Sequence, residues 1–309
     1  MHDVPLVPAS PWHAGEVALQ QRVGVADYML DVGQQWIRPA MPLQHQAFFP
    51  LLPFIVVGAV DEQGNAWATL LSGEKGFVHA SDAEHLSIAA ARNVDDPADA
   101  GMNDGDPVGL LGIDLATRRR NRINGIVQRA GDGGFAVVVT QSFGNCPRYI
   151  HPRRIDGNVD AGHDSPAGLQ RSTHLDAALA AMVTAADTFF VASYVDTELG
   201  RQVDVSHRGG QAGFVRVGED GVLTIPDYAG NKFFNTLGNL LVNPKAGLVF
   251  VDFATGGLLQ LSGDAEVLRD GEGTADYPGA ERLWRFTARE IAFRPSALAI
   301  RWAAPSAAR

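Results

Sequence analysis

Cysteine is almost missing from this chain of 309 residues. Only Cys146 is present, so no internal disulfide can form. The 9 histidines are scattered, without the paired spacing that holds zinc, and no metal site is expected. Long apolar runs are lacking too. The longest, residues 51–60, is broken by Pro53 and Gly58 and falls well short of the roughly 20 residues a membrane-crossing helix requires. The opening MHDVPLVPAS is polar and rich in proline, unlike a secretory leader, so a cytoplasmic, reducing setting without membrane attachment is expected. Excess positive charge is also absent. The formal net charge of −10 has the wrong sign for a protein that holds nucleic acid by its phosphates. With 46% apolar and 19% charged residues, the composition is that of packed globular cores.

The chain resembles itself. PFIVVGAVDEQGNAWATLLSGEKGFV, from Pro53, is similar to TFFVASYVDTELGRQVDVSHRGGQAGFV, from Thr188. LLGIDLATRRRNRINGIV, from Leu110, is similar to LVFVDFATGGLLQLSGDAEV, from Leu248. The offset stays between 135 (53 to 188) and 138 (110 to 248), a steadiness that chance apolar runs would not give. Two copies of one β-rich unit of roughly 110–130 residues are expected. The first would span residues 1–155, with an N-terminal helix. The second would span 172–309, after a Gly-, Asp- and Ser-rich linker at about 156–171.

Short β-branched and aromatic runs bounded by Gly, Asp and Asn predict many strands and few helices, hence a mainly β fold of small barrels. Helices are expected from Pro11, with Ser10 as cap, over residues 42–52, from the stretch 172–176 to about Ala186, with a hydroxyl residue as cap and Asp176 at the positive end, and over 233–242 before Asn243-Pro244. Leu175, Leu179 and Met182 would share one helix face. The acidic, turn-rich stretch NVDDPADAGMNDGD reads as an exposed loop.

The basic run TRRRNR, Thr117 to Arg122, places Arg118, Arg120 and Arg122 on one face of a strand. Such a face is either a solvated edge that blocks aggregation or a site for an anion such as phosphate. Its second-unit counterpart is neutral. SHRGG, Ser206 to Gly210, is the converse: its first-unit counterpart, SGEK, lacks the arginine. If the units pack as a pseudo-dimer, one anion site can draw on both. Gly209 and Gly210 could bring amides to a phosphate or simply make a turn. Asn231 and Lys232 precede a short helix whose first amides favour an anion, or merely cap it. In QSFGNCPRYIHPR, Gln141, Asn145 and Arg148 offer donors, and Phe143 and Tyr149 apolar faces. Cys146, next to a proline and with no orienting partner, reads as a bystander rather than a nucleophile.

LLGIDLATRRRNRINGIV, QSFGNCPRYI and the segment from SHRGGQAGFVRV to LVNPKAGLVF resemble the pyridoxamine 5′-phosphate oxidase-related FMN-binding proteins, in a subgroup with tandem units. The resemblance covers roughly residues 30 to 303. It implies two tandem split barrels packed as a pseudo-dimer, with FMN in the groove between them. Carried over, it sets Ser206, His207 and Arg208 on the basic loop that meets FMN. It sets Asn231, Lys232 and Asn239 on the segment that helps hold the phosphate. Arg120, Arg122, Asn145 and Arg148 join these as candidate cofactor contacts. The family often carries a basic residue where Gly238 stands and a lysine near Asn235-Thr236; both places are neutral here. The resemblance implies an FMN-dependent oxidoreductase using a small-molecule substrate and an electron donor, or else a non-catalytic flavin- or haem-related storage protein. No catalytic acid or base stands out, no nucleic acid is expected, and a homodimer stays open.

Overall fold

The computed structural model describes residues 10–158 and 168–303. The first unit carries helices α1 (Ala14–Arg22), α2 (Ala26–Trp36) and α3 (Leu43–Gln46). Its strands are β1 (Phe54–Val60), β2 (Ala66–Ser72), β3 (Val78–Ala80), β4 (His85–Ile88), β5 (Pro107–Asp114), β6 (Arg119–Gln128), β7 (Phe135–Gly144) and β8 (Ile155–Asn158). After β9 (Gln170–Ser172) and α4 (Ala177–Ala185) come β10 (Thr188–Thr197), β11 (Gly200–Gly209), β12 (Arg216–Val217) and β13 (Leu223–Tyr228). Then follow α5 (Asn235–Val242), β14 (Lys245–Asp252), β15 (Gly257–Val267), β16 (Ala280–Arg294) and β17 (Ile300–Trp302).

One sheet runs β2-β1-β5-β6-β7-β4-β3 and the other β11-β10-β14-β15-β16-β13-β12, the same antiparallel path walked twice. Even the hairpin turns match. Asp114 accepts from the Ala116 and Thr117 amides and the Thr117 hydroxyl, and Asp252 accepts from the corresponding groups of Ala254 and Thr255. The left-handed position of each turn falls on Arg118 (φ 61°) and Gly256 (φ 71°). The fold is mainly β, as expected. Apolar side chains from β1 to β7 meet in one core, which a flat sheet could not arrange, so the sheet is curled around it.

The central strands are apolar on both faces because each face meets a different core. Ile55, Val57 and Ala59 of β1 point into the first unit's core. Phe54 and Val56 instead join Phe190, Ala192, Val205, Val249 and Val251 in a core shared between the units. Glycine lets the two sheets touch at their backbones. A Cβ on Gly109 would lie 2.7 Å from the Val203 carbonyl oxygen, and one on Gly247 would lie 2.4 Å from that of Ala66. The two units therefore pack face to face. Of the expected linker, its two ends lie in β8, which pairs with β17, and in β9, which pairs with β16. Its middle, residues 159–167, falls outside the described residues.

Three local expectations need correction. The first helix starts at Ala14, not Pro11. His13 is the cap, its Nδ1 accepting the Gly15 amide while Glu16 reaches back to the His13 amide. Asp176 rather than a hydroxyl residue caps α4, accepting from the Leu179 amide. The acidic stretch is not an exposed loop. It forms a short 3-10 turn, Pro97–Gly101, with Asp96, Ala98 and Asp99 buried against the sheet. Leu179 and Met182 of α4 pack on the second core, and so does Leu175, which lies ahead of the helix rather than on its face.

Candidate functional site

The seam between the units opens into a cleft lined by residues of both units and by the start of α5. Its floor is made where β6 of the first unit meets β11 of the second. Arg122, almost wholly buried, donates from Nη1 to Asp204 Oδ1 at 3.0 Å and from Nη2 to the Ser206 hydroxyl. Asp204 also accepts from Asn124 Nδ2 (2.9 Å) and Asn239 Nδ2 (3.0 Å). Thr236 of α5 donates to Ser206 at 3.0 Å. One carboxylate thus ties together both sheets and α5.

Arg120 lies beside this network, with Nη1 3.1 Å from His207 Nδ1. Burial first, then Arg120 and Arg208, pushes the His207 pKa well below its usual range, so the imidazole is neutral. A guanidinium always donates, so His207 Nδ1 is the acceptor and Nε2 carries the proton. Burial, then repulsion from Arg122 and Arg208 (opposed by Cys146), lowers the Arg120 pKa to about 10. Arg208 is lowered as well, by burial first and by Arg122, against the pull of Asp227. The cluster is electrostatically strained as it stands.

Its charges are unevenly compensated. Arg122 has Asp204, and Lys232 Nζ has Glu281 at 2.6 and 2.7 Å. Arg208 has only Asp227 at 3.9 Å, a carboxylate that Arg282 holds more closely at 2.8 Å. Among the described residues, neither Arg120 nor Arg148 has a carboxylate within ion-pair distance. Five lining residues each hold a buried donor without an acceptor: Nε of Arg120, Arg122 and Arg208, Nδ2 of Asn145, and Nε2 of His207. A buried donor left unpaired costs about 1–3 kcal/mol.

Nine sequence candidates therefore line one cleft: Arg120, Arg122, Asn145 and Arg148 from the first unit, and Ser206, His207, Arg208, Asn231 and Lys232 from the second. Asn239 does not line it but lies wholly buried on Asp204 and Ser193. Arg118 leaves the arginine face, because it occupies the turn before β6. Arg119 points away, over the Phe48 ring at 4.9 Å. Gly209 lines the cleft, and both Gly209 and Gly210 allow close packing. A Cβ on Gly209 would sit 2.0 Å from the Tyr149 carbonyl oxygen and one on Gly210 2.6 Å from the Phe214 ring, and the Gly210 amide is taken by Asp187. Phe143 packs with Trp12, Met29 and Phe233. Tyr149 stacks on Tyr228 across the cleft wall, ring centres 5.2 Å apart. Cys146 lines the wall, partly exposed.

The first turn of α5, Asn235 to Leu237, also faces the cleft, with no side chain capping its amides. Sequence reasoning missed Asp204, Asp227, Glu281 and Tyr228, which carry no local motif. The neutral Gly238 has a reason in the fold: α1 crosses α5 there, and a Cβ would meet Glu16 atoms at 2.6–2.9 Å.

The symmetry-related seam is closed. Counting from the matched turns, Gln260 of β15 stands where Arg122 stands in β6. Gln260 Nε2 donates to the Ala68 carbonyl (3.0 Å) and Asp96 Oδ1 (2.9 Å). Arg294 adds a 2.7 Å bond to Asp96 Oδ2. The buried 3-10 turn after Asp96 fills the place that α5 takes in the second unit.

No protein-family model and no curated protein matches the chain. Solved structures do. HupZ of Group A Streptococcus is 17% identical and matches over 40% of this chain and 98% of its own, with a TM-score of 0.31. A candidate pyridoxamine 5′-phosphate oxidase from Lactobacillus delbrueckii is 15% identical over 39% and 94%, TM-score 0.31. The FAD-binding protein of Mycobacterium smegmatis is 16% identical over 40% and 98%, TM-score 0.27. Each of these likenesses covers about two fifths of this chain.

Proposed function

We propose that the seam cleft binds FMN and that the protein is an FMN-dependent oxidoreductase acting on a small molecule. The observation that carries this reading is the set of five buried donors without acceptors, gathered around a cationic cluster in which Arg120 and Arg148 lack counter-charges. A phosphomonoester carries about −1.5 to −2 charges and three acceptor oxygens, which matches that demand in both charge and hydrogen bonding. Arg120, Arg122 and Arg208, with the Ser206 hydroxyl and the open amides of α5, would hold the phosphate. Asn145 and the stacked Tyr149–Tyr228 pair would border the rest of the ligand. When bound, a flavin supplies hydride and electron chemistry that side chains cannot.

The chain's own part is positioning. Arg122 is fixed in place by Asp204. Arg120 sets the tautomer of His207 and leaves its Nε2–H free to donate to a ligand. The two-sided core keeps both halves of the clamp in register. The test is the absorbance spectrum of the protein purified with FMN, followed by anaerobic NADH or NADPH. Flavin bands that bleach are expected. Flavin that no reductant discharges would indicate storage, and a protein that retains no flavin would end the proposal.

A further inference from the structure

A second, apolar groove adjoins the cationic cleft. Tyr28, Met29, Val32 and Trp36 of α2 form one side, and Gly144 and Phe233 the other. Cys146 and Asn231 line both the groove and the cleft, so the two are continuous. Tyr28, Val32 and Trp36 recur at every fourth residue and share one helix face. Met29, buried with Trp12, Phe143 and Phe233, anchors the helix below them. Tyr28 and Trp36 are 69% and 57% exposed, although soluble surfaces rarely spend two large aromatics on one solvated stripe. None of the four α2 residues carries a charge, whereas the cleft beyond Cys146 is strongly cationic. The surface thus changes from apolar and aromatic to cationic along one continuous path.

We infer that this groove seats the flat aromatic part of the second small molecule, the one that meets the ligand of the cationic cleft. The inference rests on the flavin reading for that meeting, but not for the groove's own binding. The chemistry it selects is a planar, uncharged ring system: ring faces against Tyr28 and Trp36, edges against Val32 and Phe233. The helix carries no cation to attract a phosphate, so sugars and free phosphate are disfavoured there.

The probe is menadione, a flat uncharged quinone, measured by equilibrium dialysis with and without saturating FMN. Saturable binding is expected in both conditions. Trp36→Ala and Tyr28→Ala should each weaken it at least fivefold while leaving FMN content unchanged, and Leu199→Ala, exposed on the second unit, should change nothing. Because both aromatics are largely exposed, these variants fold. Binding that is absent or indifferent to both variants would overturn the inference. So would a dimer, seen by light scattering, that Trp36→Ala splits, for then a second copy covers the groove. Loss of FMN binding by the wild-type protein would count against the flavin reading alone.

Discussion

Asp204 shows how much of the seam depends on single side chains. It is buried, and it accepts from Arg122 and Asn124 of β6 and from Asn239 of α5. Truncating it would leave Arg122 buried without its counter-ion, a change that typically costs 3–5 kcal/mol. Arg120 and Arg122 were readable in sequence, because alternation along a strand puts them on one face. Asp204 was not readable: its partners lie 82, 80 and 35 residues away, and no local spacing marks a carboxylate as buried. Protonation supplies a sharper residue-scale test. His45 Nδ1 lies 2.8 Å from the Ser142 hydroxyl, and burial first, then Arg38 and Arg119, lowers its pKa to about 4. The unfolded chain takes up this proton near pH 6.5, whereas the folded one takes it up only near 4. Its contribution is therefore complete above about pH 6.5 and is lost as pH falls toward 4, by on the order of 3 kcal/mol. His13 and His207, also lowered, act in the same direction. Glu16, raised by burial, acts in the opposite one. Comparing His45→Gln with wild type isolates the single group. Urea unfolding between pH 4 and 7 should show a shallower pH slope in the variant, and equal slopes would mean that His45 ionises freely in the fold.

At the scale of elements, α1 packs on α5 through glycine. A Cβ on Gly15 would lie 2.0 Å from the Gly238 carbonyl oxygen. Gly15→Ala should therefore lower unfolding free energy by about 1–3 kcal/mol, the usual cost of overpacking, although alanine is the better helix former. Unchanged or raised stability in urea titration would show the two helices to be loosely apposed. The crossing also accounts for a departure visible in the sequence: a basic residue at position 238 has no room beneath α1. Helix α5 was legible from its apolar spacing and from Asn243-Pro244. The start of α1 was not, because Pro11 and Ser10 mimic a start signal while the working capping box uses His13 and Glu16. The acidic stretch around Asp96 misled for a different reason. Charge there suggests exposure, yet Asp96 is buried on Arg294, 198 residues further along.

Across the whole molecule, a repeated strand path produces two unlike seams. The strings that keep their offset fall on corresponding strands of the two sheets, and basic groups stand on β6 and β11 where their counterparts, β15 and β2, have none. That one seam would be sealed by Asp96, Gln260 and Arg294 could not be read, since it needs the two sheets placed against each other. The sealed seam leaves no second cationic cleft of the same build among the described residues. The proposed grip on a phosphate by arginines of both units is tested most directly by comparing FMN with riboflavin, which has the same ring system and no phosphate. Isothermal titration should give one FMN per chain, bound at least about 100-fold more tightly than riboflavin. Arg208→Ala should weaken FMN by roughly 10- to 100-fold and leave riboflavin unchanged. Equal affinities for the two, or an Arg208→Ala variant that binds FMN as wild type does, would contradict it.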